Sequence, residues 1–370
     1  MTKIESLIQQ LCPDGVEYRR LERCCNILDK KRKPVTKAAR VSGKYPYYGA
    51  NGIQDYVADY IFDGTYVLVG EDGSVVTPSG KPVVNWATGK IWVNNHAHII
   101  EEKQGVLLRY LFHFLQTVNI APLIHGNIPK LTGGDFKAIS VPILPLEVQQ
   151  EIVRILDQFA ELTAELTAEL TARKKQYEYY RDELFRAAKN AEVHYLNEIA
   201  ENCDNQRKPV TSGNRVAGEY PYYGASGIVD YVDDYIFDGE YLLISEDGAN
   251  LLARSTPIAF SISGKNWVNN HAHVLHFDSY ETRRYVEIYL NSIDLSPYIT
   301  GGAQPKLNQK NLNKIPIPLP SHDEQFRIVS ILDRFDTLCN DLTSGLPAEI
   351  EARRKQYEYY RDKLLTFKEL

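Results

Sequence analysis

Cysteine is scarce here, five in 370 residues (Cys12, Cys24, Cys25, Cys203, Cys339) with no C-x-x-C spacing, so neither a disulfide framework nor a zinc ribbon holds the chain together. Most of the cysteines are expected to be reduced and buried. Charge of one sign is also lacking: 42 Lys plus Arg against 48 Asp plus Glu give a formal net charge of -6. That excludes a uniformly basic nucleic-acid coat and leaves room only for a regional binding surface. No run approaches 18 apolar residues, and the opening MTKIESLIQQL has neither a basic region nor a continuous apolar stretch. The expectation is a cytoplasmic protein with no membrane association. The SGK and TGK triplets ending at Lys81, Lys90 and Lys265 lack the first glycine and the Ser/Thr of a P-loop, so nucleotide hydrolysis has no support.

At 44% hydrophobic the chain can bury two or more domain cores. An internal repeat gives their number. Arg32 to Gly73 matches Arg207 to Gly248 at a constant offset of 175, with 30 identities in 42 positions. The shared text includes RKPVT, YPYYGA, DYIFDG and EDG, and it resumes with WVNNHAH at Trp92 and Trp267. GNIPKL at Gly126 and GAQPKL at Gly302 keep the register to within one residue. Two large halves were duplicated, in contrast to a stack of small repeats.

Between the matched blocks lies a segment of equal length that has diverged. Ser74 to Ile91 and Ala249 to Asn266 agree only at Pro82/Pro257, Gly89/Gly264 and Lys90/Lys265. A common frame with a variable insert suits one scaffold presenting two recognition surfaces, and drift in a surface loop is the plainer reading. Inside each half, YVLV at Tyr66, YLLIS at Tyr241 and the WVNNHAH segments read as strands separated by Gly-, Pro- and Asn-rich turns. The fold expectation is therefore α+β, with two duplicated α/β domains carrying small curved sheets.

Each half ends in a helix. Ile152, Ile155, Phe159, Leu162, Leu166, Leu170, Tyr177 and Leu184 recur at steps near three and four, the stripe of one long amphipathic helix. Its AELTAELTAELT text, Ala160 to Thr171, repeats a four-residue unit. The second copy opens at Ser321 and Glu324, read as a capping box, and continues through Ile328, Ile331, Leu332 and Phe335 to KQYEYYRD, which contains Tyr357. Gly345 and Pro347 are expected to interrupt it. The segments are drawn at 1–146, 147–190, 191–320 and 321–370, with the two helices able to pack on each other and the molecule pseudo-two-fold. Ile155, Phe159, Leu162, Leu166, Leu170, Tyr177, Ile331, Phe335 and Tyr357 are the expected helix-pair and partner surface.

No catalytic constellation emerges. Glu71-Asp72 and Glu246-Asp247 are adjacent carboxylates whose side chains diverge on a strand, which suits solvated or helix-capping acids in a turn. His96 with His98, and His271 with His273, would share one strand face, but no third ligand sits at a recognisable spacing. Hydrogen-bonded structural histidines are expected and a metal is not.

Nucleic-acid binding has more support. Arg19 to Lys44 holds ten basic residues and two acids, whereas the matching window His194 to Glu219 holds three and four. The first cluster suits phosphates or a solvated charged face. Lys31, Arg32, Lys33, Arg207 and Lys208 belong to it or its counterpart. Lys130 and Lys306 follow Gly-containing turns in both halves and suit a backbone phosphate, while Asn127 and Gln304 could read an adenine edge. The insert adds Lys81, Asn85 and Lys90 in one half and Asn250, Arg254 and Lys265 in the other.

Taken together, the duplicated domains, the helix ends RKKQYEYYRDELF and RRKQYEYYRDKLL, and the lead-ins VPILPLEVQQ and IPIPLPSHDEQ resemble the specificity subunit of type I restriction-modification enzymes over the whole chain. The resemblance implies two target-recognition domains, each reading half of a bipartite site in double-stranded DNA, separated by two antiparallel helices acting as a ruler. It further implies two modification subunits that bind S-adenosylmethionine and methylate adenine, and restriction subunits that use ATP and Mg. None of those cofactors would be bound by this chain, in which no Asn/Asp-Pro-Pro-Tyr/Phe methyltransferase motif occurs. Departures are Ile128, where Gln would be expected, and the first helix, which lacks the glycine-proline break. A stand-alone DNA binder and a metal nuclease using the histidine strands are the alternatives.

Overall fold

The computed structural model describes residues 3–73, 75–77, 79–302 and 304–370. It divides into two compact units: the residues up to Thr167 together with Glu349–Leu370, and Ala168–Ala348. The segments 147–190 and 321–370 drawn from the sequence therefore do not stand apart. The long helix is divided between the units, and the last helix belongs to the first.

The first unit is built on six strands: β1 (Asn26–Ile27), β2 (Ser42–Gly49), β3 (Gly52–Val57), β4 (Phe62–Gly70), β5 (Val84–Val93) and β6 (Ala97–Glu101), in the sheet order β1-β6-β4-β5-β2-β3. All neighbours are antiparallel except β2 and β5, which run parallel at Tyr47↔Trp92 and Tyr48↔Val93. Alternation along β4 divides its side chains between two cores. Val67 and Val69 join a cluster with Tyr110, Leu111, Phe136, Ile152 and Leu156, while Tyr66 and Leu68 join one with Phe62, Ile91 and Ile99. Helix α1 (Leu108–Leu115) covers the first of these faces.

Helix α2 (Leu146–Ala187) is a single run of 42 residues, roughly 60 Å at about 1.5 Å per residue. Its start is buried in the first unit through Val148, Ile152 and Leu156. The AELT repeats follow, with Leu162, Leu166 and Leu170 half-buried.

The second unit repeats the sheet with β7 (Glu201–Asn202), β8 (Ala217–Gly224), β9 (Gly227–Val232), β10 (Phe237–Ser245), β11 (Ala259–Val268) and β12 (Ala272–His276), in the order β7-β12-β10-β11-β8-β9. Leu242 and Ile244 point into one core, with α3 (Tyr280–Ser292) and α4 (His322–Asn340), and Leu243 into another. The end of α2 packs on the first of these through Tyr177, Leu184 and Phe185. Tyr180 meets Phe335 of α4 with ring centroids 5.6 Å apart. Helix α5 (Leu346–Leu364) closes the first unit, where Tyr360 stacks on Phe159 at 5.3 Å and 16°.

The expected break is there: Gly345 lies between α4 and α5, and Pro347 stands in the first turn of α5. The capping box does not form: Ser321 is the N-cap residue but its side chain caps nothing, and Glu324 is held by Arg327 at 2.7 Å. The WVNNHAH text is two strands, with Asn94 Oδ1 accepting the His96 amide to make the turn between β5 and β6.

Candidate nucleic-acid interface

Strand β4 runs into Glu71-Asp72-Gly73, and three other turns gather on that tripeptide. The Glu71 amide donates to the His96 carbonyl (2.8 Å), placing the Asn94–His96 turn beside it. The Gly73 amide donates to Pro129 (3.0 Å) and the Leu131 amide to Glu71 (2.8 Å), seating the Gly126–Pro129 turn on its other side. The β2–β3 turn completes the group: Asn94 Nδ2 donates to Gln54 (3.3 Å), and a side chain at Gly52, whose φ is +112°, would meet Asn85 Oδ1 at 3.3 Å. The second unit repeats the anchoring with Glu246 to His271 (2.9 Å), Gly248 to Pro305 (3.1 Å) and Leu307 to Glu246 (2.7 Å).

Beneath the turns lies a network of buried charges. Arg32 Nη1 donates to Glu71 Oε2 and to the Ala97 carbonyl, both at 2.6 Å, and its Nε donates to the Asp29 carbonyl at 2.9 Å. Arg207 makes the same contacts with Glu246 (2.8 Å), Ala272 (2.7 Å) and Asp204 (3.1 Å). His98, almost fully buried, sits between Asp29 Oδ2 (2.7 Å from Nδ1) and the Leu131 carbonyl (3.0 Å from Nε2), and its ring stacks on Phe136 at 4.2 Å. His273 does likewise with Asp204 (2.6 Å) and Leu307 (2.8 Å). Burial pushes the Asp29 and Asp204 carboxyls up, but the histidine hydrogen bond and charge, a backbone amide and the nearby arginine outweigh it and hold both below the usual carboxylate range.

Asp29, Glu71 and His98 lie close enough to share a cation, as do Asp204, Glu246 and His273. The donor set does not fit a metal. A guanidinium already bridges the two carboxylates of each trio, and each histidine nitrogen is already engaged, one by the aspartate and the other by a backbone carbonyl. His96 is not on the face of His98: it stands in the exposed turn with Nδ1 on Asp72, as His271 stands with Asp247 at 2.9 Å. The paired acids cap no helix. Glu71 is mostly buried, and it shares Lys130 with Asp72 at 3.3 and 3.8 Å; Glu246 holds Lys306 at 3.1 Å.

The expected DNA-contacting residues thus separate into groups. Arg32 and Arg207 are internal bolts. Lys81 donates to the Thr117 carbonyl just beyond α1, and Arg254 donates to the Ile293 carbonyl at 2.7 Å and to Leu290 and Asn291 at 3.5 Å, at the end of α3. Each insert is thereby docked by a cation on the carbonyl end of the helix that follows it, where the helix dipole favours positive charge. Asn250 closes its own loop, bonding Thr256 and Ser255. The side chains of these five are engaged within the protein. Asn85 is half-buried on β5 with its amide nitrogen unpartnered. Lys31, Lys33, Lys208, Asn127 and Gln304 are exposed, and Lys130 and Lys306 remain half-exposed beside their acids. Lys90 and Lys265 are exposed, each 4.5 Å over a tyrosine ring, Tyr60 and Tyr235. Sequence reasoning missed Asp29 and Glu71 as anchors, although both recur at the 175-residue offset.

The family model described as type I restriction modification DNA specificity domain matches residues 13–173 and again 188–352. A type I restriction enzyme specificity subunit of Haemophilus influenzae is 38% identical over 373 residues, covering 95% of this chain and 96% of its own length. The EcoR124I/EcoR124II specificity subunit of Escherichia coli is 35% identical over 292 residues, covering 70% of this chain and 71% of its own. The crystal structure of a type I restriction-modification S subunit from M. genitalium matches with a TM-score of 0.63 at 16% identity, covering 95% of this chain and 97% of that one. With two copies of the domain in tandem and a relative at 38% identity matched nearly end to end, the chain belongs to the type I restriction-modification specificity subunits.

Proposed function

We propose that each unit reads one half of a bipartite site in double-stranded DNA, and that the chain itself performs no chemistry. The observation that carries this reading is the pair of exposed turns that present residues 126–129 in one unit and Gly301, Gly302 and Gln304 in the other. Both sit on the same buried Arg-Glu-His network, yet they carry different side chains, Asn127 and Ile128 in one and Gln304 in the other. A rigid, shared base under a variable polar tip suits base-edge readout in a groove. Half-exposed Lys130 and Lys306 would serve adjacent phosphates.

Methylation of adenine and cleavage would reside in partner subunits, two methyltransferases binding S-adenosylmethionine and restriction subunits using ATP and Mg. The repeated YEYYRD motif favours a partner surface on the helices. Tyr179 in one unit and Tyr359 in the other are each 62% exposed, and exposed aromatics are typical anchors of protein interfaces. Among the described residues no helix is long and apolar enough to cross a membrane.

The test is to co-express the chain with a methyltransferase subunit and map the methylated motif. Ile128→Gln should alter the bases accepted in one half-site and leave the other intact. A motif unchanged in a folded, active variant would remove the turn from the reading surface.

A further inference from the structure

Residues 29–44 and 204–219 follow the same path in the two units. Each begins with a one-turn 3-10 helix, Asp29–Lys31 or Asp204–Gln206, and continues through a second, Lys37–Ala39 or Ser212–Asn214. The same clamps hold both. The Val35 amide donates to the Tyr47 hydroxyl (3.0 Å) and the Val210 amide to that of Tyr222 (2.9 Å). Arg40 lies 4.2 Å over the Tyr47 ring and pairs with Asp55 at 3.2 Å; Arg215 lies 4.3 Å over Tyr222 and pairs with Asp230 at 3.1 Å. Trp92 and Trp267 donate to the carbonyls of Lys33 and Lys208, each at 2.6 Å.

With backbone and clamps equal, the charge differs. Lys30, Lys31, Lys37 and Lys44 stand in the first unit where Asn205, Gln206, Ser212 and Glu219 stand in the second. All four lysines are exposed, and none makes an ion pair among the described residues. Since the fold accepts neutral residues at three of these places and an acid at the fourth, the lysines are not there to hold it. Their position is informative: the ridge runs through Arg32, bolted to Glu71 directly under the turns of the candidate reading surface.

We infer that the first unit carries a lysine ridge that binds the sugar-phosphate backbone beside its half-site, and that the second unit has no counterpart. This rests on the DNA reading proposed above. Lysine suits the task because a point charge neutralises phosphate without reading a base. The two halves would then contribute unequally to affinity: the first unit supplies most of the salt-sensitive attraction, and sequence is read by both.

The test replaces lysines with what the other copy already carries. In the full chain, K30N/K31Q/K37S removes three charges, and N205K/Q206K/S212K adds three to the second unit. Affinity for a duplex containing the methylated motif is measured from 50 to 200 mM KCl. The slope of log affinity against log salt should fall by up to about 3 in the first variant and steepen by a similar amount in the second, with both half-sites unchanged in sequence. An unchanged slope in both variants, with the wild-type chain still binding DNA, overturns the ridge alone. Normal salt dependence with loss of partner assembly would also overturn it, assigning the lysines to an acidic protein surface. Failure of the wild-type chain, alone and with a methyltransferase subunit, to bind any duplex overturns the DNA reading and the ridge together.

Discussion

Arg32 and Glu71 lie 39 residues apart in sequence and 2.6 Å apart in space, and Arg207 and Glu246 repeat the pair at 2.8 Å. Both members of each pair are nearly buried. Removing one carboxylate leaves a guanidinium short of a charged partner, at a cost of about 3 kcal/mol. Glu71→Gln should therefore lower stability by that order and loosen the Gly126–Pro129 turn. Because the second network is untouched, the methylated motif should lose selectivity in one half only. Equal damage to both half-sites would show that the pair serves general stability.

The insert cations give a second prediction. Arg254 adopts φ +51° and caps the end of α3, so Arg254→Ala should cost about 1–2 kcal/mol and expose residues 249–258 to protease. A variant as stable and as protease-resistant as the wild type would show that the insert is held by other contacts.

Acid should weaken the first unit. Burial pulls the His113 imidazole from its ordinary 6.5 down to about 4, against the opposing hydrogen bond and charge of Asp157 and with smaller help from Arg109 and Arg361. Its Nδ1 also meets the Tyr357 hydroxyl of α5 at 3.0 Å. The unfolded chain takes up the proton below pH 6.5 and the folded unit only near 4, so this contribution is fully present above pH 6.5 and is lost as pH falls towards 4. The loss should reach about 2–4 kcal/mol. Thermal denaturation of wild type and His113→Asn across pH 4 to 7.5 checks it: the wild-type slope should be the steeper, and parallel curves would contradict the assignment.

Deleting Ala164 to Thr167, one AELT unit, shortens α2 by about 6 Å, against about 3.4 Å per base pair of DNA. The unread gap of the methylated motif should shrink by one or two base pairs, the half-site bases remaining the same. An unchanged gap in an active variant would make the repeat plain helix.

Much of this architecture was legible because the chain says most things twice. The three positions where the divergent inserts agree mark a frame, and the structure supplies a reason for two. Gly89 and Gly264 carry φ of +77° and +72° opposite Gly64 and Gly239, which only glycine adopts without strain, and Lys90 and Lys265 lie on tyrosine rings. The strand alternation and the long helix could be read from period, and the break in the second helix from Gly345 and Pro347. What escaped was set by tertiary contact. Asn94 turns a text that looks like one strand into two, and nothing local announces that its Oδ1 will accept the His96 amide. Arg32, Lys81 and Arg254 read as DNA-facing cations because a sequence shows their charge and hides the buried carboxylates and carbonyls that hold them.

The most direct test of one unit, one half-site is to replace residues 196–319 with residues 21–143, so that both units carry the first domain. Co-expressed with a methyltransferase subunit, this variant should give a methylated motif that contains the first half-site twice across a gap. A motif that keeps the second half-site, or in which both halves change, would contradict the account.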